Sequence, residues 1–177
     1  PIVAGSLQYS PDGSQVVYIR DKAEETQELW TVASGGEEMN GKPVAMGRLS
    51  DTVSFRGDGA AMAFGVTAPE GDKIRVVRVS DGTIEGELGE GRICGESWHP
   101  SGGYLVAVAL DAESGKEQLW AIENAAPYRR HRLTKIPEGV SGGGAVSRDG
   151  RWAIGTSERA GTACLVLVDL SALLFTA

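Results

Sequence analysis

Two histidines, two cysteines and a set of recurring aspartates are the side chains from which this sequence could assemble catalytic or metal chemistry. His99 lies in Trp98-His99-Pro100-Ser101-Gly102, at a place held elsewhere in the chain by Ser10 and Ser147, and it reads as a turn residue. His131 lies in Arg129-Arg130-His131-Arg132, expected on an outermost strand where charge discourages edge-to-edge pairing. No Gly-x-Ser-x-Gly nucleophile elbow is expected, and therefore no serine peptidase domain within the chain. The commonest zinc hydrolase arrangement, His-Glu-x-x-His, does not occur. Gly86-Glu87-Leu88-Gly89-Glu90-Gly91 has the outline of a phosphate loop. It lacks the Lys-Ser/Thr pair, no helical run follows it, and its two glutamates would repel phosphate. It reads as a turn between two units, and Gly142-Gly143-Gly144 is discounted on the same grounds.

Asp12, Asp58 and Asp149 recur at equivalent places, so each is expected to perform the same local task, hydrogen bonding within its own turn. Calcium would need about 6–8 oxygens converging on one point, and no Asp-x-Asp-x-Asp-Gly loop is present. Cys94 and Cys164 fall on strands of different units, farther apart than the ~7 Å that a disulfide spans between Cα atoms, and both read as buried small hydrophobes. No catalytic residue, metal or cofactor is expected.

The elements around these residues repeat. Tyr9-Ser10-Pro11-Asp12-Gly13 returns as Phe55-Arg56-Gly57-Asp58-Gly59, as Trp98-His99-Pro100-Ser101-Gly102 and as Val146-Ser147-Arg148-Asp149-Gly150, with the last glycines spaced by 46, 43 and 48 residues. A second marker keeps the same step: Leu29-Trp30-Thr31-Val32, Val76-Val77-Arg78-Val79, Leu119-Trp120-Ala121-Ile122 and Leu165-Val166-Leu167-Val168. Each unit reads as four short strands; in the first they cover residues 7–9, 15–20, 28–33 and 44–49. Nearly continuous apolar runs, such as residues 105–110, imply sheets covered on both faces. Small residues at Gly5, Ser6, Gly95, Gly143 and Gly144 fall in or beside the first strand of a unit, where backbones approach closely. By register Trp30, Trp98 and Trp120 are core; Trp152 either packs or lies exposed at the base of its unit. Four strands recurring every ~40–45 residues define an all-β propeller array of four four-stranded antiparallel blades, approximately 1–45, 46–91, 92–138 and 139–177.

Tyr9-Ser10-Pro11-Asp12-Gly13, then residues 16–21, Glu28-Leu29-Trp30-Thr31-Val32 and Arg48-Leu49-Ser50, resemble the TolB-type, WD-like propeller repeat, and His131-Arg132-Leu133-Thr134 closes the third unit in the same manner. The second unit departs from the pattern at Arg56-Gly57, the third carries Ser101 for the aspartate, and the fourth compresses its last strand into residues 172–176. The resemblance implies a partner-binding scaffold, a gating domain of a prolyl-oligopeptidase-like serine peptidase, or a lyase or sensor domain. It favours a periplasmic or extracytoplasmic location. The chain opens at Pro1 with no charged-then-apolar leader, so any targeting segment is expected to have been removed or never included.

Seventeen Lys and Arg against 24 Asp and Glu give a net charge of −7, which argues against a nucleic-acid partner and an anionic membrane surface. No apolar run approaches the ~20 residues of a membrane helix. Propeller geometry would gather Asp21, Asp51, Glu70, Glu90, Arg92, Asp111, Lys135 and Arg159 on one rim, an acid-leaning surface suited to a polar protein or peptide. Four units allow a whole small ring, a fragment of a larger ring, or half of a ring completed by a second copy. An open stack would leave Val16, Val17, Ile154 and Leu165 at terminal blades with one neighbour each, and two copies meeting about a two-fold axis would cover them. A closed four-bladed monomer would need wedge-shaped gaps filled by large side chains, for which 11 aromatics are few.

Overall fold

Short apolar runs separated by glycine-containing turns fold into strands throughout the computed structural model, which describes residues 7–22, 26–35, 41–69, 71–94 and 97–175. Sheet one is β1 (Gln8–Tyr9), β2 (Gln15–Asp21), β3 (Gln27–Ala33) and β4 (Lys42–Gly47), and sheet two is β5 (Leu49–Phe55), β6 (Ala61–Ala68), β7 (Gly71–Arg78) and β8 (Ile84–Glu90). In both, the strands lie side by side in chain order. Sheet three comprises β9 (Tyr104–Asp111), β10 (Lys116–Glu123) and β11 (Arg130–Arg132). Isolated bridges Arg92↔Val108 and Trp98↔Leu105 hold the segment before it in the first-strand place. Sheet four comprises β12 (Gly142–Val146), β13 (Trp152–Arg159) and β14 (Thr162–Asp169).

The repeated turn explains why each first and second strand fold back on each other. Asp12 Oδ1 accepts the amide of Ser14 at 3.0 Å and the hydroxyl of Ser10 at 2.6 Å, while Gly13 at φ 71° donates its amide to Ser10 O. Asp58 and Asp149 accept the amides of Ala60 and Arg151 in the same way, at 2.9 and 3.0 Å. Ser101 takes over the aspartate's place by accepting the amide of Gly103 at 3.2 Å. Only a residue comfortable at positive φ closes this loop, and hence glycine ends all four copies.

The chain divides into two units, Pro1–Gly89 and Glu90–Ala177. In the first, Val17, Ile19, Leu29 and Val44 of sheet one pack on Val53, Phe55, Met62 and Phe64 of sheet two. Ile19, Leu29, Met62 and Phe64 are fully buried, each worth about 1.5–3 kcal/mol of transfer free energy. In the second, Val106, Val108 and Leu119 pack on Val146, Ala153, Val166 and Val168.

Several expectations change. Val17 is buried in the core of the first unit rather than left at an uncovered end, because it lies on the face turned to sheet two; Ile154 and Leu165 are exposed. Residues 172–176 were expected as a last strand, yet Ser171–Phe175 form a 3-10 helix: Asp169 Oδ1 accepts the amide of Ser171 at 2.9 Å and starts a helical turn. Gly86 to Glu90 lie within β8, not in a turn between units. Leu49 opens β5 and does not end the preceding strand. Cys164 is exposed, not buried, on β14, beyond which no strand pairs among the described residues; Cys94 is half-buried, and both thiols are free. Trp30 and Trp120 are half-buried rather than core, each with its indole N–H satisfied, by Glu28 at 3.0 Å and Ala109 O at 3.1 Å. Trp98 is buried, and Trp152 is half-buried under the Arg151 guanidinium, 4.9 Å from its ring centre. Gly5, Ser6 and Gly95 lie outside the described residues. At Gly143 a Cβ would meet Gly155 Cα at 2.3 Å, so close backbone approach does demand glycine there.

Candidate binding rim

In an antiparallel sheet the start of the first strand and the end of the second share an edge, and the pairings Leu49↔Val66 and Arg92↔Val108 put blade entrances beside second-strand ends. On this edge of the first unit lies a cavity of about 420 Å³, lined by Asp21, Lys22, Gln27, Arg48, Leu49 and Thr67. Gln27 organises its floor. Its side-chain amide donates to Asp21 Oδ1 at 3.2 Å and its carbonyl oxygen accepts the Leu49 amide at 3.0 Å, tying β3 of one sheet to β5 of the next. The Thr67 amide donates to Arg48 O at 2.8 Å. Lys22 bonds Glu28 Oε1 at 2.9 Å, and Arg20 pairs with the other oxygen of the same carboxylate at 2.8 Å. With Lys22, Trp30 and Arg20 all bonded to it, the Glu28 carboxyl is lowered to about 2. The cavity therefore presents fixed charges of both signs beside one aliphatic side chain.

Of the eight rim positions expected from sequence, Asp21 lines this cavity, alone among those whose side chains are described. Asp51 lies on β5 and Glu70 outside the described residues. Glu90 ends β8, where its backbone oxygen accepts a bond from Arg130. Arg92 is paired with Glu117 at 2.5 Å. Asp111 is 5% exposed; it accepts the Ser114 amide and hydroxyl and pairs with Arg132 at 2.9 Å, contacts that lower its carboxyl's pKa. It holds the β9–β10 turn together. Lys135 is exposed in the connection after β11, and Arg159 is exposed at the end of β13. Lys22, Gln27, Arg48 and Thr67 escape the sequence reading. Arg48 carried a signal, as the opening of the Arg48-Leu49-Ser50 repeat marker; Gln27 carried none.

The residues weighed for catalysis are occupied otherwise. His99, 7% exposed, is more than a turn residue: its Nδ1 accepts the Ser101 amide at 3.1 Å, which leaves Nε2–H to donate to Gly150 O at 3.0 Å and join the turns of sheets three and four. His131 Nε2 lies 2.8 Å from Glu123 Oε1 on the edge strand β11. One spacing was missed: Gly139-Val140-Ser141-Gly142-Gly143 fits Gly-x-Ser-x-Gly. It lacks the elbow's context, because it leads into strand β12 rather than a helix, and the Ser141 hydroxyl lies 3.3 and 3.2 Å from Thr156 O and Oγ1. Among the described residues no three His, Cys, Asp or Glu side chains gather as a metal site, and no helix is long and apolar enough to cross a membrane.

No protein-family model matches the chain, and no curated protein is significantly similar to it in sequence. Solved structures are similar to it in fold. TolB from Acinetobacter baumannii superposes with a TM-score of 0.75 at 17% identity, over 96% of this chain and 41% of that one. The β-propeller domain of the trilobed protease from Pyrococcus furiosus gives 0.65 at 13% identity, over 94% and 56%. The acylaminoacyl peptidase of Pyrococcus horikoshii gives 0.65 at 12% identity, over 97% and 32%. The chain thus spans from about a third to just over half the length of these proteins. It has a TolB-like β-propeller fold, in an extent that fits a fragment or half of a propeller.

Proposed function

We propose that the chain is a non-catalytic binding module, with blades near 1–45, 46–91, 92–138 and 139–177, that engages a polar protein or peptide segment at the rim of its first two blades. The observation that carries this reading is the cavity built by Asp21, Lys22, Gln27, Arg48, Leu49 and Thr67. Its size falls within the ~300–1,000 Å³ range of ligand sites, and its opposed charges suit a side chain and backbone of mixed polarity. Panning a displayed random-peptide library against the purified chain tests it. Selected peptides should bind at least about tenfold more weakly to D21K/R48E and to T67W, each keeping its melting temperature within a few degrees of the parent. Peptides that bind both variants unchanged would refute the rim as the site.

Likeness to an acylaminoacyl peptidase favours a second reading, an accessory propeller that gates an active site elsewhere in a longer chain. A hydrolase domain in the same open reading frame would decide for it.

A further inference from the structure

Among the described residues, sheet four carries an apolar face that nothing covers. On β13 and β14 that face holds Ile154, Thr156, Leu165 and Leu167, paired as Ile154↔Leu167 and Thr156↔Leu165. Leu165 is 76% exposed, Leu167 62% and Ile154 39%. Counting from the turn glycine gives the face its meaning. In sheet one the residues four and six places past Gly13 are Val17 and Ile19, which pack on sheet two. In sheet three the same places past Gly102 are Val106 and Val108, which pack on sheet four. In sheet four those places past Gly150 are Ile154 and Thr156. The bare face therefore has the register that, twice within this chain, covers a following sheet.

The receiving register is equally definite. Met62 and Phe64, three and five places past Gly59, receive sheet one, and Ala153 at the corresponding place receives sheet three. In sheet one those places are Val16 and Tyr18, flanked by Val32 and Trp30 on β3, all half-buried, with Tyr9 66% exposed at the margin. This second face belongs to the first blade. Its charge complements the other: Arg20 continues the Val16–Tyr18 row, with its guanidinium 3.9 Å from the Trp30 ring centre, whereas exposed Glu158 continues the Ile154–Thr156 row. We propose that the exposed face of sheet four docks on the Val16, Tyr18 and Trp30 face of sheet one in a second copy of the chain, with Glu158 meeting Arg20.

Three strands of at most eight residues span no more than about 14 by 26 Å, so a single contact is smaller than the ~800 Å² per partner of a standard interface. Each copy carries both faces, so two such contacts between a pair of copies would come close to that size. The proposal does not depend on what the rim binds.

Light scattering and sedimentation velocity over a wide concentration range read the association. The parent should approach twice 18.6 kDa and stop there. L165E/L167E and, separately, Y18E should weaken association at least about a hundredfold while their circular dichroism stays that of the folded parent. E158R should weaken it about tenfold, and R20E should restore binding to E158R when the two variants are mixed in the arrangement that pairs them. A parent that is monomeric throughout, growth beyond the dimer, or association indifferent to Y18E would each overturn the proposal. So would an E158R defect that R20E leaves uncorrected.

Discussion

Residue by residue, His99 and the repeated aspartates hold the turns of this chain in place. His99 shows it best. Ring nitrogen Nδ1 takes the Ser101 amide, and Nε2 reaches Gly150 O in the next blade's turn, so one imidazole fixes two turns. Gly150 is committed on two counts, since it sits at φ 74° and a Cβ there would lie 2.4 Å from His99 Nε2. The left-handed backbone alone costs an L-residue about 1–2 kcal/mol, and the buried, bonded ring has no free rotation to yield. We expect Gly150→Ala to lower the melting temperature by at least about 4 °C, since each kcal/mol moves a domain of this size by roughly 2–4 °C. H99A/G150A should recover part of the loss but not the backbone share. A G150A melting curve matching the parent's would contradict this account. None of this coupling is visible in sequence, because Trp98-His99-Pro100 shows the turn and hides which neighbouring turn the ring touches.

At the level of elements the repeated turn was fully legible, as its hydrogen bonds are made within five residues and each copy carries its own donors and acceptors. The last strand of sheet four was not legible: Ala172 to Phe175 are apolar enough for a strand, but Asp169 satisfies the Ser171 amide and turns the chain first. The contacts of Asp111 were not legible for a related reason. A carboxylate at a strand end looks like a rim group, and only the fold brings Arg132 from β11 against it. The turn carboxylates also give the fold an acid limit. Asp12 is lowered from 3.8 to about 2, chiefly by the Ser10 hydroxyl and then by Ser14; Asp58 is lowered chiefly by Arg56 and then by the Ala60 amide, and Asp149 by the Ser147 hydroxyl and then the Arg151 amide. A depressed carboxylate stabilises the fold above its unfolded value and loses that contribution as the pH falls through its folded one. Denaturant midpoints should therefore hold steady from neutrality to about pH 5 and fall steeply between about 4 and 2. Asp12→Asn, which still accepts the Ser14 amide but cannot titrate, should give a shallower fall. An identical fall in D12N would show that the turns do not set the acid limit.

On the scale of the whole chain, the four-fold repetition revealed the propeller because two markers kept one period, and the TolB-like fold follows that period. Binding chemistry was much less legible. The rim cavity is made where β2 and β3 of one blade meet the start of the next, so its residues are neighbours only after the sheets pack. Asp21 could be anticipated from its strand end; Gln27, which ties the two blades, could not. Hydrogen–deuterium exchange of the chain with and without a peptide selected by panning tests the central claim most directly. The account predicts added protection at residues 20–22, 26–28, 47–50 and 65–68, the stretches that build the cavity. Protection confined to sheets three and four, with those stretches unchanged, would contradict it.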